Sequence, residues 1–181
     1  MGSELIKLLV GFALTTVCGG VLTFFFQRRQ AQYQWIKSRW EKELSESQAA
    51  FEEISRLLDR RLYRTRQFLW GFDRSSEELE ARLGEYRKAV VRWNDNVNRI
   101  LALLAIHFSD EIRNILDNDL GAEFVNVGRL LEQAYFHNNG DFERLPVGAR
   151  LDNLAAQVYN FNLRMLQEIR VKRSSLLQDV R

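Results

Sequence analysis

The chain has 181 residues, 46% hydrophobic and 28% charged, with a single proline; this suits one domain with an additional element and is too apolar for a disordered tail. One cysteine and two histidines are too few for a disulfide framework or a Cys/His zinc site within one chain, so no metal and no cofactor is expected. With 26 basic against 24 acidic side chains, a net of +2, the one-sided charge of a dedicated duplex-binding protein is absent, and charge has to be read locally.

From Leu8 to Phe26 no residue is charged. At about 1.5 Å per residue the run reaches roughly 28 Å, close to the hydrocarbon thickness of a bilayer. It predicts one transmembrane helix, with residues 1–27 as an anchor and 28–181 as a cytoplasmic helical bundle. A cleaved signal peptide is the competing reading, but the apolar run continues to Phe26 without a small-x-small site, and Thr15-Thr16-Val17-Cys18 is a poor lipobox. Ile6 stands where myristoylation favours Ser or Thr. Lys7 precedes the span, whereas Arg28, Arg29, Lys37, Arg39 and Lys42 follow it, which places the bulk of the chain in the cytoplasm. Within the span Gly11, Thr15 and Gly19 recur every fourth residue, with Gly20 beside them. Such a small-residue stripe lets helices approach closely and predicts a homo-oligomer; the plainer account is that glycine and threonine are common in single-pass anchors.

Past the anchor, Tyr33, Ile36, Trp40, Leu44, Ser47, Phe51, Ile54, Leu58, Leu62, Thr65, Leu69 and Phe72 step by three or four residues, and Gly71 marks a stop; the anchor should run into one long stalk helix. Ser75-Ser76-Glu77-Glu78 is a capping box. It opens a second, antiparallel helix whose periodic positions run from Leu79 to Leu116. Two shorter stretches follow, Phe124 to Tyr135 and Leu151 to Ile169, separated by a loop that Asn138-Asn139-Gly140-Asp141 and Pro146-Val147-Gly148 punctuate. No alternating strand pattern occurs. The fold class is therefore all-α: one transmembrane helix, a stalk and an antiparallel bundle.

Trp35, Trp40, Trp70 and Trp93 exceed what a solvated coiled coil needs. Trp93 is expected in the core, and Trp35 and Trp40 lie within reach of a headgroup region. Arg56, Arg60 and Arg64 share one face, with Arg61 beside them. They offer a stripe to a phosphate-rich partner or an acidic subunit; the plainer account is that folding back about Asp73 brings Glu80 to Arg66 and Glu85 to Arg61, neutralising the stripe. Asn94, Asn98 and Arg99, with Asn153, Gln157, Asn160 and Arg164, form polar lines that suit either a hydrogen-bonded interface or solvent. His107 and His137 read as surface or packing residues. There is no phosphate loop, serine elbow, metalloprotease helix or cysteine-nucleophile context, so no catalytic residue is assigned.

A single amino-terminal span running into a small, wholly helical cytoplasmic bundle resembles the membrane accessory protein of type VI-B CRISPR systems. The resemblance covers the whole chain as architecture. It implies a HEPN-like bundle, a ring-shaped pore of several copies, the inner membrane of a bacterium, and an RNA-guided effector or other cytoplasmic protein as partner. HEPN ribonucleases carry Arg, a polar residue, four to six residues and then His. Here Arg99 to His107 and Arg129 to His137 each enclose seven residues, with apolar Ile100 and Leu130 at the polar position, and Arg113-Asn114 has no histidine after it. The resemblance thus implies a bundle without the usual ribonuclease centre. The leading expectation is a non-enzymatic accessory protein that self-assembles and forms a pore or perturbs the inner membrane in antiphage defence. The alternatives are a membrane-tethered adaptor without a pore, and a HEPN-type ribonuclease assembled across chains.

Overall fold

A computed structural model describes the backbone of residues 2–137 and 144–179 and the side chains of 11–12, 16, 19–136 and 146–175. Apart from the short connections at 72–75 and 108–109 the described residues are helical, with no strand: α1 (Gly2–Gly71), α2 (Ser76–His107), α3 (Asp110–Asn114), a π-helical turn (Ile115–Leu120), α4 (Gly121–His137) and α5 (Arg144–Asp179). The chain divides into two compact units, Met1–Lys42 and Glu43–Arg181.

The first unit consists of the amino-terminal part of α1. Most of its described large apolar side chains are exposed, including Phe12, Leu22, Phe24, Phe25 and Phe26, while Trp40 is half-buried. Thr16 and Thr23 return their hydroxyls to the carbonyls of Phe12 and Gly19, each at 2.8 Å, satisfying them within the helix. Among the described residues no helix is long and apolar enough to cross a membrane. The expected span at Leu8–Phe26 lies partly outside the described residues, since the side chains of 8–10, 13–15 and 17–18 are not among them.

The second unit is a bundle of the rest of α1 with α2, α4 and α5. On α1, Ala50, Ile54, Leu57, Leu58, Leu62, Phe68 and Leu69 are buried, at the three- and four-residue steps that line one face of a helix. They meet Leu83, Tyr86, Trp93, Ile100 and Leu104 of α2, Phe124, Val127 and Leu131 of α4, and Leu151, Leu154, Val158, Phe161 and Met165 of α5 in one core. Trp93 is in that core as expected, 5% exposed. Helix α1 ends at Gly71, where α2 passes close by and leaves no room for a side chain: a Cβ there would stand 2.9 Å from Leu79 Cδ1 and 3.1 Å from Arg82 Cδ. The Phe72 and Arg74 amides close the turn onto the Leu69 and Gly71 carbonyls. Ser75 then caps α2 by accepting from the Glu78 amide, as the capping box indicates.

Two expected boundaries are corrected. The second helix does not continue to Leu116: α2 ends at His107, Phe108 is extended (φ −134°, ψ 177°), and Ser109 caps a new helix through the Ile112 amide. The apolar period persists across the break because Phe108, Ile112 and Leu116 remain buried, so periodicity alone hides it. Pro146-Val147-Gly148 is not loop but the first turn of α5. A proline there lacks only an N–H that has no intrahelical partner anyway. The Asn138-Asn139-Gly140-Asp141 turn lies outside the described residues.

Candidate functional site

The arginines of α1 face three environments. Arg56 and Arg60 are exposed. Arg64 is committed to the bundle, 3.2 Å from Glu85 and donating to Gln67 Oε1 at 2.7 Å. Lys88 and Arg64 together hold the Glu85 carboxyl below its ordinary range, the Lys88 hydrogen bond being the larger cause. Arg61 turns inward and is 5% exposed. Its guanidinium carbon lies 5.1 Å from the Trp93 ring centroid and 4.5 Å from that of Phe124. Burial lowers its pKa to about 10. Arg66 pairs with Asp152 at 2.8 Å. Neutralisation across the bundle therefore occurs, but with Glu85 on Arg64 and Asp152 on Arg66 in place of the expected Glu85 on Arg61 and Glu80 on Arg66. Of the five arginines from Arg56 to Arg66, only Arg56 and Arg60 are both exposed and unpaired among the described residues, on the outward face that also carries exposed Tyr63 and Trp70.

A second charged surface went unnoticed in the sequence. Asp119 and Glu123, one turn apart, line a groove of about 450 Å³ between the π-helical turn and α5, together with Gln157, Asn160 and Arg164. Arg164 is engaged by Glu111. Residues i and i+4 of like charge repel on an isolated helix, so the pair carries no local structural reward.

A polar junction fixes the end of the bundle where α2 breaks. Lys172 of α5 donates to the His107 carbonyl at 2.8 Å, to Glu43 at 3.2 Å and to the fully buried Ser47 hydroxyl at 3.4 Å. One turn away, Glu168 accepts from the Ser109 amide at 3.0 Å and from its hydroxyl at 2.5 Å. Two backbone groups freed at the α2 terminus, the His107 carbonyl and the Ser109 amide, are thus satisfied by α5 side chains, as buried or half-buried backbone requires. Only the long separation of these residues in sequence concealed the junction.

The remaining expected positions are placed as follows. A Cβ at Gly11, Gly19 or Gly20 would meet nothing within 4 Å, while the Thr15 side chain is outside the described residues. Arg99 pairs with Glu53 at 2.9 Å, and Arg129 is exposed. His107 is half-buried and contributes its carbonyl, and the His137 side chain is outside the described residues. Asn94, Asn98, Asn153 and Asn160 are exposed. Among the described residues no three His, Cys, Asp or Glu side chains gather to hold a metal. What the bundle offers is two complementary charged surfaces and a set of exposed aromatics. The chain matches no protein-family model, no curated protein and no solved structure.

Proposed function

We propose that the protein is a non-enzymatic, self-assembling, single-pass membrane protein of a bacterial inner membrane. In this reading the bundle is cytoplasmic, and the assembly forms a homo-oligomeric pore, or perturbs the membrane, as an accessory of CRISPR-associated antiphage defence. The observation that carries the reading is the stretch Val21–Phe26: five large apolar side chains exposed by about half or more on one helix, at the end of a run with no charge from Leu8 onward. A helix that is apolar on all sides needs a core or a bilayer around it. Arg28 and Arg29 then hold the following residues on the cytoplasmic side, and the small residues Gly11, Thr15, Gly19 and Gly20 allow spans to approach each other. The defence role rests on the architectural resemblance to type VI-B accessory proteins.

Two measurements test it. An alkaline phosphatase fused after Arg181 should be silent in bacteria, while a cytoplasmic reporter at the same position is active. The detergent-purified chain should have the mass of a closed assembly of several copies. Secretion of the fused phosphatase overturns the orientation, and a one-copy particle in detergent replaces the pore with the adaptor reading.

A further inference from the structure

We propose that the bundles of neighbouring copies join side by side through unlike surfaces, the Arg56–Arg60 face of one copy entering the Asp119–Glu123 groove of the next. The inference rests on the self-assembly reading above and names its cytoplasmic interface.

Both surfaces carry charge that the single chain leaves unspent. Arg56 and Arg60 are exposed and make no ion pair or hydrogen bond with the described residues, although their neighbours Arg64 and Arg66 are both paired. Asp119 is exposed and Glu123 half-buried, and neither is paired among the described residues; the groove's cation, Arg164, is already held by Glu111. A guanidinium entering the groove would find two carboxylates, with the Gln157 and Asn160 side-chain carbonyls beside them, which suits its several donors. Tyr63 and Trp70, 53% and 51% exposed, share the arginine face. Tyrosine, tryptophan and arginine are the side chains that supply most binding energy where two proteins meet.

The register of the bundle places the two surfaces at one height. Helix α2 runs antiparallel to α1, with Arg64 on Glu85 and Glu53 on Arg99. It runs antiparallel to α4 as well, with Tyr86 against Gly128 and Trp93 near Phe124. Helices α1 and α4 are therefore parallel. Arg61 reaches the Phe124 ring, so Arg60 and Arg56 stand within about a turn, some 5 Å, of the levels of Glu123 and Asp119. A copy displaced sideways, with its helices still parallel, brings arginines to carboxylates without sliding along the axis. Because the two surfaces differ, the contact is head-to-tail and propagates, closing into a ring when the rotation per copy permits.

A second copy fits the face better than a nucleic acid does. Glu52 and Asp59, both exposed, flank the two arginines on the same helix. Their two negative charges offset the two positive ones, so the face has no net positive charge for a phosphate backbone, which binds in proportion to uncompensated cations. A protein groove of opposite pattern tolerates them.

The test uses the full chain in detergent and reads particle mass, with helicity as the control for folding. Arg56→Glu with Arg60→Glu should reduce the assembly to smaller particles, and Asp119→Lys with Glu123→Lys should do the same. Mixed by co-expression, the two variants should recover the wild-type mass, since each reversed surface then meets its reversed complement. Arg56→Gln with Arg60→Gln, which changes charge without repulsion, should also lower the mass and serves if the reversals misfold. A wild-type particle of one copy overturns the self-assembly reading itself. A wild-type assembly that persists in both reversed variants, or folded reversed variants that fail to recover on mixing, overturns this interface alone. Loss of single-stranded RNA binding by Arg56→Glu with Arg60→Glu at unchanged particle mass assigns the face to nucleic acid and overturns the interface too.

Discussion

Helix α1 contains two stretches with similar apolar content and opposite fates. Between Phe12 and Ile36 its described large apolar side chains are exposed, whereas between Ala50 and Leu69 most residues of the same kind, Tyr63 apart, are buried or half-buried against α2, α4 and α5. The difference lies in pattern. In the later stretch the apolar residues keep to one face, with Arg56, Asp59 and Arg60 on the other, so the helix can turn an oily side inward and a charged side to water. In the earlier stretch Val21, Leu22, Phe24, Phe25 and Phe26 follow one another closely, and no rotation of the helix hides them together. A backbone that is continuously hydrogen-bonded can thus pass between two regimes of burial without a break, and the side-chain pattern decides which surroundings each part requires.

The largest effect that would sharpen this contrast is a pair of matched truncations. Phe68 is fully buried, stacked on Tyr86 with centroids 5.3 Å apart and 5.5 Å from Phe72. Phe68→Ala should cost about 3–5 kcal/mol of bundle stability, the usual range for emptying a core phenylalanine site. Phe25→Ala, at a position 61% exposed, should change the same unfolding free energy by less than about 0.5 kcal/mol. Urea unfolding in mild detergent, followed by circular dichroism, measures both. Equal losses would show that the two stretches belong to one cooperative core and would dissolve the comparison.

Most of the scaffold could be read from the sequence because its signals are local. The capping box at Ser75–Glu78, the stop at Gly71 and the buried period through Ile54, Leu58, Leu62 and Leu69 all act within a few residues, and each recurs in the structure. What escaped depends on distance. The break at Phe108–Ser109 leaves the apolar period intact, and the groups that stabilise it, Glu168 and Lys172, arrive from about sixty residues away. The stripe of arginines was visible as spacing, but spacing does not say that Arg61 would be turned between two rings while Arg60 faces water. Partner choice for each arginine is set by which helix lies beside it, and one turn of register separates Glu85 on Arg61 from Glu85 on Arg64.

A middle-sized effect tests whether the bundle's beginning on α1 is fastened by polar contacts as firmly as its middle is by apolar ones. Lys172 joins α5 to Glu43 and Ser47 of α1 and to the last carbonyl of α2. Lys172→Met keeps most of the apolar stem and removes the ammonium. Hydrogen bonds to charged groups contribute about 1.5–3 kcal/mol, but Glu43 is partly exposed and its pairing is weakened by solvent, so a loss of about 2 kcal/mol is expected. Hydrogen exchange should show the Ser109 and Ile112 amides losing protection before those of α4. If protection falls evenly along the chain, the junction is not a separate fastening and the start of the bundle is held by the core alone.

The smallest net effect concerns Arg61, where two opposing terms nearly cancel. A guanidinium buried without a carboxylate is disfavoured, and the lowering of its pKa from the ordinary arginine range to about 10 corresponds to about 3 kcal/mol at neutral pH. Against this stand two cation–π contacts, with Trp93 and Phe124, each worth about 1–2 kcal/mol in a desolvated site. Arg61→Met, which fills much of the same volume, should therefore shift stability at pH 7 by less than about 1 kcal/mol. The dependence on pH separates the terms. From about pH 10 up to the ordinary arginine range the unfolded chain holds the Arg61 proton and the folded chain has begun to release it, so stability from this group rises with pH there, and the desolvation cost is fully present below that window. Relative to Arg61→Met, the wild type should gain about 1 kcal/mol between pH 9 and pH 11, read from urea midpoints of the two proteins at each pH. A loss above about 3 kcal/mol on substitution at pH 7, with no relative gain at pH 11, would mean that the guanidinium is a net source of stability, and that the two rings more than offset the water it gave up.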